Sequence, residues 1–235
     1  MSCLGVIPAR YQSKRFPGKV LAPVQGKPLL YWVYERASKC SLLDSVIVAT
    51  DDDRVVQAAK KIGAPVQLTS PHCRSGSDRV AEILRGTDYS TVLNIQVDYP
   101  DIAPEDLGRV VKFLQDNPDR PMVTLQQPFE NSGDLQSPHH VKVYCDPKGR
   151  AHKFSREVSA EETLGDPQEH IGIYGFQREA LLQFSKWEQS SGEKNGRLEQ
   201  LRAMDNGMTI LVLKATQRCH GINIPEDIPH LSKLR

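Results

Sequence analysis

The sequence predicts an α/β fold, with a mixed, mostly parallel sheet that carries helices on both faces. The 235 residues suffice for one large domain with a sizeable buried core. In the first half of the chain, short apolar runs alternate with amphipathic stretches, and the connections between them are short. Strand and helix in alternation are typical of a parallel sheet covered on both sides. In such folds ligands bind where loops leave the carboxyl ends of the strands.

The first half of the chain supplies the elements of this sheet. Apolar runs predict strands at 4–7, 45–49, 66–68 and 91–95, and apolar residues at helical spacing predict helices at 29–37, 77–84 and 107–114. A further helix begins at the acidic run 51–53, whose carboxylates suit a helix N-terminus, and it stops at Gly63. The loops after Ile7, Val48 and Ile95 are therefore the first places to search for a site.

The rhythm changes after about residue 118. Strands are predicted at 122–125, 170–176 and 209–213, and helices at 178–184, at 198–204 and from Pro225 onward. Segments 141–144 and 151–154 flank the turn sequence 146–149, which predicts an antiparallel hairpin. The polar segment 157–169 is expected to form a mobile surface loop. We expect a single domain over 1–235, with a hairpin or dimerisation insertion at roughly 122–175.

Composition excludes several classes of protein. Thirty Lys and Arg against 29 Asp and Glu give a net charge of +1, which argues against a nucleic-acid coat or a polybasic membrane protein. The five cysteines form no CxxC pair, so neither a disulfide framework nor a zinc site is expected. The first residues lack a basic stretch followed by a long apolar run, and the sequence holds no apolar run of about 20 residues, so neither a secretory signal nor a membrane span is expected. A cytoplasmic protein without a nucleic-acid or membrane partner is expected.

The strongest local signal is a cluster of cations directly after the first predicted strand. Arg10, Lys14, Arg15 and Lys19 fall within ten positions, and the first acidic residue of the chain is Glu35. Such a loop favours an anion, because arginine matches phosphate oxygens with its planar fork and lysine offers a compact charge. A solvated basic loop is the alternative. The chain contains neither a Walker A motif nor GxGxxG, which excludes the usual NTPase and dinucleotide signatures.

Segment 7–19 resembles the nucleotide-binding signature of the CMP-Kdo synthetases, the 3-deoxy-manno-octulosonate cytidylyltransferases. Similar blocks follow in the same order at 49–52, 75–79, 94–100, 141–143, 154–156, 170–176, 198–202 and 225–227. The resemblance implies a Rossmann-like nucleotidyltransferase fold, a homodimer, CTP, an acidic eight-carbon sugar such as Kdo, and Mg²⁺. It implies transfer of CMP from CTP to the sugar with loss of pyrophosphate.

The resemblance also implies roles for individual residues. The catalytic set is Arg10, Arg15, Lys19 and Asp98; the nucleotide-binding set is Ala9, Arg10, Ser13, Lys19, Arg74, Ser75, Gly76 and Asp78; the sugar-binding set is Gln96, Lys142, His170, Tyr174 and Gln200. Structural alternatives stay open for several of them. Asp98 could cap a loop, 75–78 could simply begin a helix, Lys142 could be solvated, and His170 and Tyr174 could be core residues.

Four positions depart from the family pattern. Val97 replaces a glycine, Tyr99 a glutamate, Gly196 a glutamate, and Asn223 the second metal-binding aspartate, so that the metal candidates are Asp98 and Asn223. Mg²⁺ held by one carboxylate instead of two is expected to bind more weakly.

The departures leave two further interpretations beside a working enzyme for Kdo or a related ulosonic acid. One is a catalytically weak or inactive paralogue that binds CTP or a sugar acid in a regulatory or partner role. The other is a nucleotidyltransferase that acts on a sugar phosphate. We expect the cytidylyltransferase, because the cationic loop and Asp98 are retained.

Overall fold

The structure is a computed structural model that describes residues 1–13, 16–159 and 165–231, without the side chain of His230. Its strands are β1 Cys3–Pro8, β2 Pro23–Val24, β3 Lys27–Pro28, β4 Ser45–Thr50, β5 Val66–Leu68, β6 Thr91–Ile95, β7 Met122–Gln127, β8 Lys142–Cys145, β9 Ala151–Ser155, β10 Gln168–Gln177 and β11 Ile210–Lys214. Its α-helices are α1 Leu29–Ser38, α2 Asp53–Lys61, α3 Gly76–Arg85, α4 Pro104–Asp116, α5 Ser132–Gln136, α6 Arg178–Lys186, α7 Ser191–Gly196 and α8 Gln200–Asp205. Two 3₁₀ helices cover Lys19–Leu21 and Pro225–Leu231.

One nine-stranded sheet dominates the fold. Seven strands follow the order β11-β7-β10-β6-β1-β4-β5, and β8 attaches to β10 and carries β9. The pairs β1–β4, β1–β6, β4–β5 and β7–β11 are parallel, whereas β10 is antiparallel to both β6 and β7. Apolar side chains from β1 and β6 are fully buried, as expected for strands covered on both faces. The predicted α/β class, with its mixed, mostly parallel sheet, is confirmed.

The antiparallel direction of β10 brings its first residues to the edge where the parallel strands end. Ile173 of β10 pairs with Ile95, the last residue of β6, so residues 168–172 extend past β6. Loops that leave β1, β4 and β6 reach the same edge, because parallel strands share one carboxyl end. Two halves of the chain that are far apart in sequence therefore meet there.

The predicted elements recur in the structure with small shifts at their ends, and the differences are local. Gln168 and Glu169 belong to β10 and not to the predicted surface loop, and Glu169 is buried. Part of that predicted loop, 160–164, lies outside the described residues. Of the segment expected as an insertion, β7 and β10 are strands of the main sheet, and the β8–β9 hairpin is the part attached to its side. The short helices α5 and α7 were not predicted, because their sequences are polar and carry little apolar periodicity.

A buried ion-pair network holds α7 and α8 against α3. The Arg202 guanidinium is fully buried and donates two hydrogen bonds to Asp78, at 2.8 and 3.1 Å, and two to Glu193, both at 2.7 Å. It also stacks on the Phe184 ring. Because these two carboxylates are themselves almost fully buried, they depend on Arg202 for their counter-charge.

Within the described residues, none of the helices combines the length and apolarity needed to cross a bilayer.

We predict that Arg202→Met lowers the free energy of unfolding by about 3–5 kcal/mol, because it leaves two buried carboxylates without their main counter-charge. Urea denaturation followed by circular dichroism measures this loss. Lys112→Met is the matched control, since Lys112 forms an exposed pair with Asp116 and such pairs contribute about 1 kcal/mol or less. Equal losses in both variants would contradict the structural role assigned to Arg202.

Candidate functional site

A cavity of about 170 Å³ opens at the carboxyl edge of the sheet. Eight of the candidate residues line it: Ala9, Arg10, Ser13, Lys19, Ser75, Gly76, Gln96 and Asp98. Because these residues come from the loops after β1 and β6 and from the start of α3, the fold assembles them from three separate segments. We call this space the first cavity.

Lys19 is firmly anchored in the first cavity. Its side chain is largely buried. Its ammonium lies 2.5 Å from an Asp98 carboxylate oxygen and donates a hydrogen bond to the Ile222 carbonyl at 3.0 Å. Glycine suits position 18, directly before Lys19, because its φ of 70° lies in the left-handed region and a Cβ there would approach the Tyr11 ring. Arg10 is exposed beside Lys19. The fourth predicted catalytic residue, Arg15, lies outside the described residues.

The start of α3 forms one wall of the first cavity. Ser75 caps the helix by accepting a hydrogen bond from the Asp78 backbone N–H at 3.2 Å, so the capping interpretation of this segment is correct. Two predicted nucleotide-binding residues, Asp78 and Arg74, have their side chains bound outside the first cavity. The Asp78 carboxylate is bound by Arg202, and Arg74 donates to Glu188 at 2.8 Å; neither residue lines the cavity.

Arg79 also lines the first cavity, although it was not among the candidates. Its guanidinium is buried, lies 3.1 Å from Asp51 and donates to the Thr69 hydroxyl. Arg79 thereby ties α3 to the loops after β4 and β5. The Ser-Gly-Ser-Asp-Arg block indicated this region. However, the sequence alone does not distinguish a buried arginine at the fourth position of a helix from a solvent-exposed one.

A second cavity of about 180 Å³ adjoins the first and shares Gln96 and Asp98 with it. The predicted sugar residues His170, Tyr174 and Gln200 line it, as does Asn223. Its remaining polar lining comes from His139, His140, Arg156, Glu169, Arg197 and Glu199. Two arginines, the carboxylates of Asp98, Glu169 and Glu199 and several other hydrogen-bonding groups surround this small polar space, which suits a hydroxylated ligand.

Buried aromatic and amide groups form one wall of the second cavity. Tyr174 donates to the Gln200 carbonyl oxygen at 3.0 Å, and the Gln200 amide nitrogen is buried without a hydrogen-bond partner in the described structure. The His170 ring nitrogen Nε2 lies 2.9 Å from the Thr124 hydroxyl. Burial lowers the pKa of His170 to about 3, so this ring is neutral at physiological pH.

Lys142 is not in the second cavity. It is completely buried, and its ammonium donates to the carbonyls of Ser137, His140 and Arg156 at 2.6, 2.8 and 3.0 Å. Because an ammonium has three protons, these bonds use all of its donors. The structure therefore contradicts both the expected sugar contact and the solvated alternative. Lys142 instead connects two loops that carry cavity residues.

The family departures have local structural causes. Val97 does not adopt a left-handed backbone, so the valine is accommodated without strain. Tyr99 lines the second cavity and packs against Gly172 and Gly221, where a Cβ would lie 3.4 and 3.3 Å from its ring. A side chain at Gly196 would lie 2.8 Å from Leu201. Glycine therefore suits position 196 in this packing.

The two metal candidates border the same space. Asp98 and Asn223 both line the second cavity, and the Asn223 backbone N–H is bound to Asp227 at 2.6 Å. Across residues 1–13, 16–159 and 165–231, no three His, Cys, Asp or Glu side chains converge on a metal-sized space. Asp98 and Asn223 thus offer one carboxylate and one amide oxygen at this edge, whereas the other lining carboxylates, Glu169 and Glu199, accept hydrogen bonds from protein groups.

Comparisons with known proteins decide the family. The Cytidylyltransferase family model matches residues 4–210. A 3-deoxy-manno-octulosonate cytidylyltransferase from Solibacter usitatus is 42% identical over 98% of this chain and 93% of its own, and one from Nitratidesulfovibrio vulgaris (strain DP4) is 41% identical over 99% and 96%. The chain belongs to the 3-deoxy-manno-octulosonate cytidylyltransferase family.

Solved structures agree with this assignment. The structure of a CMP:2-keto-3-deoxy-manno-octonic acid synthetase complexed with CTP superposes with a TM-score of 0.88, at 32% identity, over 98% of this chain and 97% of that one. A cytidylyltransferase from Leptospira borgpetersenii, at 17% identity and a TM-score of 0.67, shares the fold. The resemblance read from the ordered sequence blocks, and the Rossmann-like nucleotidyltransferase fold it implied, are confirmed.

We predict that the contribution of His140 to stability decreases as pH rises. A hydrogen bond to Glu169 at 2.6 Å raises the pKa of His140, so the charged pair stabilises the fold fully below the ordinary histidine pKa of about 6.5 and loses its charge as pH passes the raised value. His140→Asn should cost about 1 kcal/mol of unfolding free energy at pH 6 and clearly less at pH 9.

Chemical denaturation at the two pH values measures this difference. His152→Asn, at an exposed histidine, is the control and should show no such change. A cost for His140→Asn that is the same at both pH values would rule out the charged pair.

Proposed function

We propose that this protein couples CTP to 3-deoxy-manno-octulosonate, or to a closely related acidic eight-carbon sugar, and forms the CMP-sugar and pyrophosphate. The observation that carries the proposal is the pair of adjoining cavities that share Gln96 and Asp98. Full-length similarity to proteins named for this activity supports the substrate class. No observation favours an inactive paralogue or a sugar-phosphate enzyme over this function.

The first cavity is proposed to hold the nucleotide. Arg10 and Lys19 neutralise the triphosphate, and Lys19 counters the charge that develops on the departing pyrophosphate. Ala9, Ser13, Ser75 and Gly76 supply small groups that let a ligand approach the backbone closely. Arg15 remains part of the proposed catalytic set on the strength of the family resemblance alone.

The second cavity is proposed to hold the sugar acid. Gln96, His170, Tyr174 and Gln200 border it, and the unpartnered Gln200 amide nitrogen is a buried donor that a hydroxyl or carboxylate oxygen would satisfy. The sugar would then meet the α-phosphate at the shared border, and such positioning provides much of the rate acceleration in this kind of transfer.

A divalent cation, Mg²⁺, is proposed at the shared edge. The oxygen donors of Asp98 and Asn223 fit a hard cation that also takes phosphate oxygens and water. When bound, the ion would neutralise phosphate charge. The short contact between Lys19 and Asp98 leaves the second oxygen of this carboxylate outside that pair. The family resemblance is also the basis on which we propose a homodimer and a cytoplasmic location.

The activity is tested by pyrophosphate release from CTP, Mg²⁺ and the sugar acid. Lys19→Met should lower kcat/KM by roughly 10²–10³-fold, because it removes the buried positive charge that would stabilise the pyrophosphate leaving group. Lys14→Met, five positions earlier in the same basic segment, is the control and should change kcat/KM by only about two- to threefold. Equal losses would contradict the role of Lys19. The absence of release by the wild-type protein would refute the function.

We also predict that Asn223→Asp strengthens metal binding. A second carboxylate beside Asp98 adds charge to the ligand set, and the Mg²⁺ concentration for half-maximal activity should fall by about tenfold. Titration of activity with Mg²⁺ measures this change, and Asn195→Asp at an exposed asparagine is the control. An unchanged midpoint in Asn223→Asp would show that a single carboxylate does not limit metal binding.

A further inference from the structure

The amide group of Gln96 is oriented by its neighbours. Its nitrogen Nε2 donates to Asn94 Oδ1 at 3.2 Å and to Glu199 Oε1 at 3.2 Å. A primary amide nitrogen has two protons, so both are used by these bonds. The carbonyl oxygen is the group of Gln96 that remains for a ligand at the border between the two cavities.

Glu199 decides this orientation. Its carboxylate accepts from the Ser77 backbone N–H at 2.9 Å, from the Asn94 amide nitrogen at 3.4 Å and from Gln96. An ionised carboxylate only accepts hydrogen bonds, so both neighbouring amides must turn their nitrogen toward it. The fully buried Asn94 also donates to the Ser77 hydroxyl at 3.0 Å, and its oxygen accepts the hydrogen bond from Gln96.

The first residue of α3 leaves room for this arrangement. A Cβ at Gly76 would lie 2.7 Å from the Gln96 amide nitrogen and 3.5 Å from that of Asn94. Gly76 therefore permits the two amides to lie against the helix start while they face Glu199. This is an observation independent of the hydrogen bonds, and it indicates that the placement of Gln96 is built into the fold.

We propose that Glu199 is a positioning residue that turns the carbonyl oxygen of Gln96 toward the cavity border, so that Gln96 recognises the sugar as an acceptor for one of its hydroxyl groups. This rests on the proposed function, and it deepens it by assigning the direction of one sugar contact. An anionic group of the sugar would be repelled by that oxygen, and so the carboxylate must bind elsewhere in the second cavity.

The charge state of Glu199 connects this geometry to pH. Burial raises the pKa of Glu199, and hydrogen bonds from Ser77 and Ser75 oppose that shift. The charged and titratable groups around it are Asp78 and Arg202 from the buried network, Tyr174 from β10, and Asp98, His139, His140, Arg156, Glu169, His170 and Arg197 along the second cavity. A protonated Glu199 gains an O–H donor, which allows the Gln96 amide to turn over.

Glu199→Gln tests the proposal by steady-state kinetics of pyrophosphate release. This nearly isosteric variant has an amide donor of its own, so the side-chain amide of Gln96 is no longer held in a single orientation. We expect the KM for the sugar to rise about tenfold, the value of one lost hydrogen bond, while the KM for CTP stays within about twofold. In the wild type the sugar KM should rise as pH falls and Glu199 takes up a proton; in Glu199→Gln it should stay high and flat on the acid side.

Two further variants separate positioning from mere structure. Glu199→Asp keeps an acceptor-only group and should retain the acid-side rise with an intermediate sugar KM; it also carries the test if Glu199→Gln fails to fold. Glu193→Gln neutralises a buried carboxylate six residues away, bonded to Arg202 and Gln189; it should lower thermal stability but leave the sugar KM and its pH profile unchanged.

Several results would overturn the proposal. A wild-type sugar KM in Glu199→Gln, an acid-side rise that persists in it, a larger effect on the KM for CTP, or an equal sugar KM change in Glu193→Gln would each do so. If the wild-type protein released no pyrophosphate at any pH, the proposed function itself would fail, and this inference would fail with it.

Discussion

The contact between Lys19 and Asp98 is the interaction on which the site depends. It joins the loop after β1 to the loop after β6, and Lys19 binds the Ile222 carbonyl in addition. The Ile222 backbone N–H in turn donates to the Asp98 carbonyl at 2.8 Å. Three segments separated by about 80 and 120 residues are thus held together by one small cluster of bonds. A buried ammonium requires such partners, because an unpaired charge in this position would be strongly disfavoured.

The sheet topology explains why two cavities share one border. The parallel strands β1, β4 and β6 end at one edge, and they deliver the basic loop and Asp98 there. The antiparallel β10 starts at that same edge, so its first residues, with His170 among them, lie next to the end of β6. One reversed strand within a mostly parallel sheet therefore brings the two cavities side by side.

Much of the fold follows from the sequence, because the buried strands are continuous apolar runs and the helices have clear caps or periodicity. The basic loop also stands out in the sequence, because four cations follow the first strand with no acidic residue before Glu35. The missed features depend on tertiary partners. The sequence around Lys142 suggests an exposed strand residue, but three carbonyls from neighbouring loops surround it. The sequence around Asp78 suggests a helix cap, but Arg202, 124 residues later, binds its carboxylate. Nothing in the local pattern reports either contact.

A crystal structure with CTP and Mg²⁺ bound tests the proposed site most directly. We predict that the triphosphate lies in the first cavity against Lys19 and Arg10, with the ion on Asp98 and an oxygen of Asn223 facing it. Nucleotide bound away from the loop after β1, or an ion held without Asp98, would contradict it.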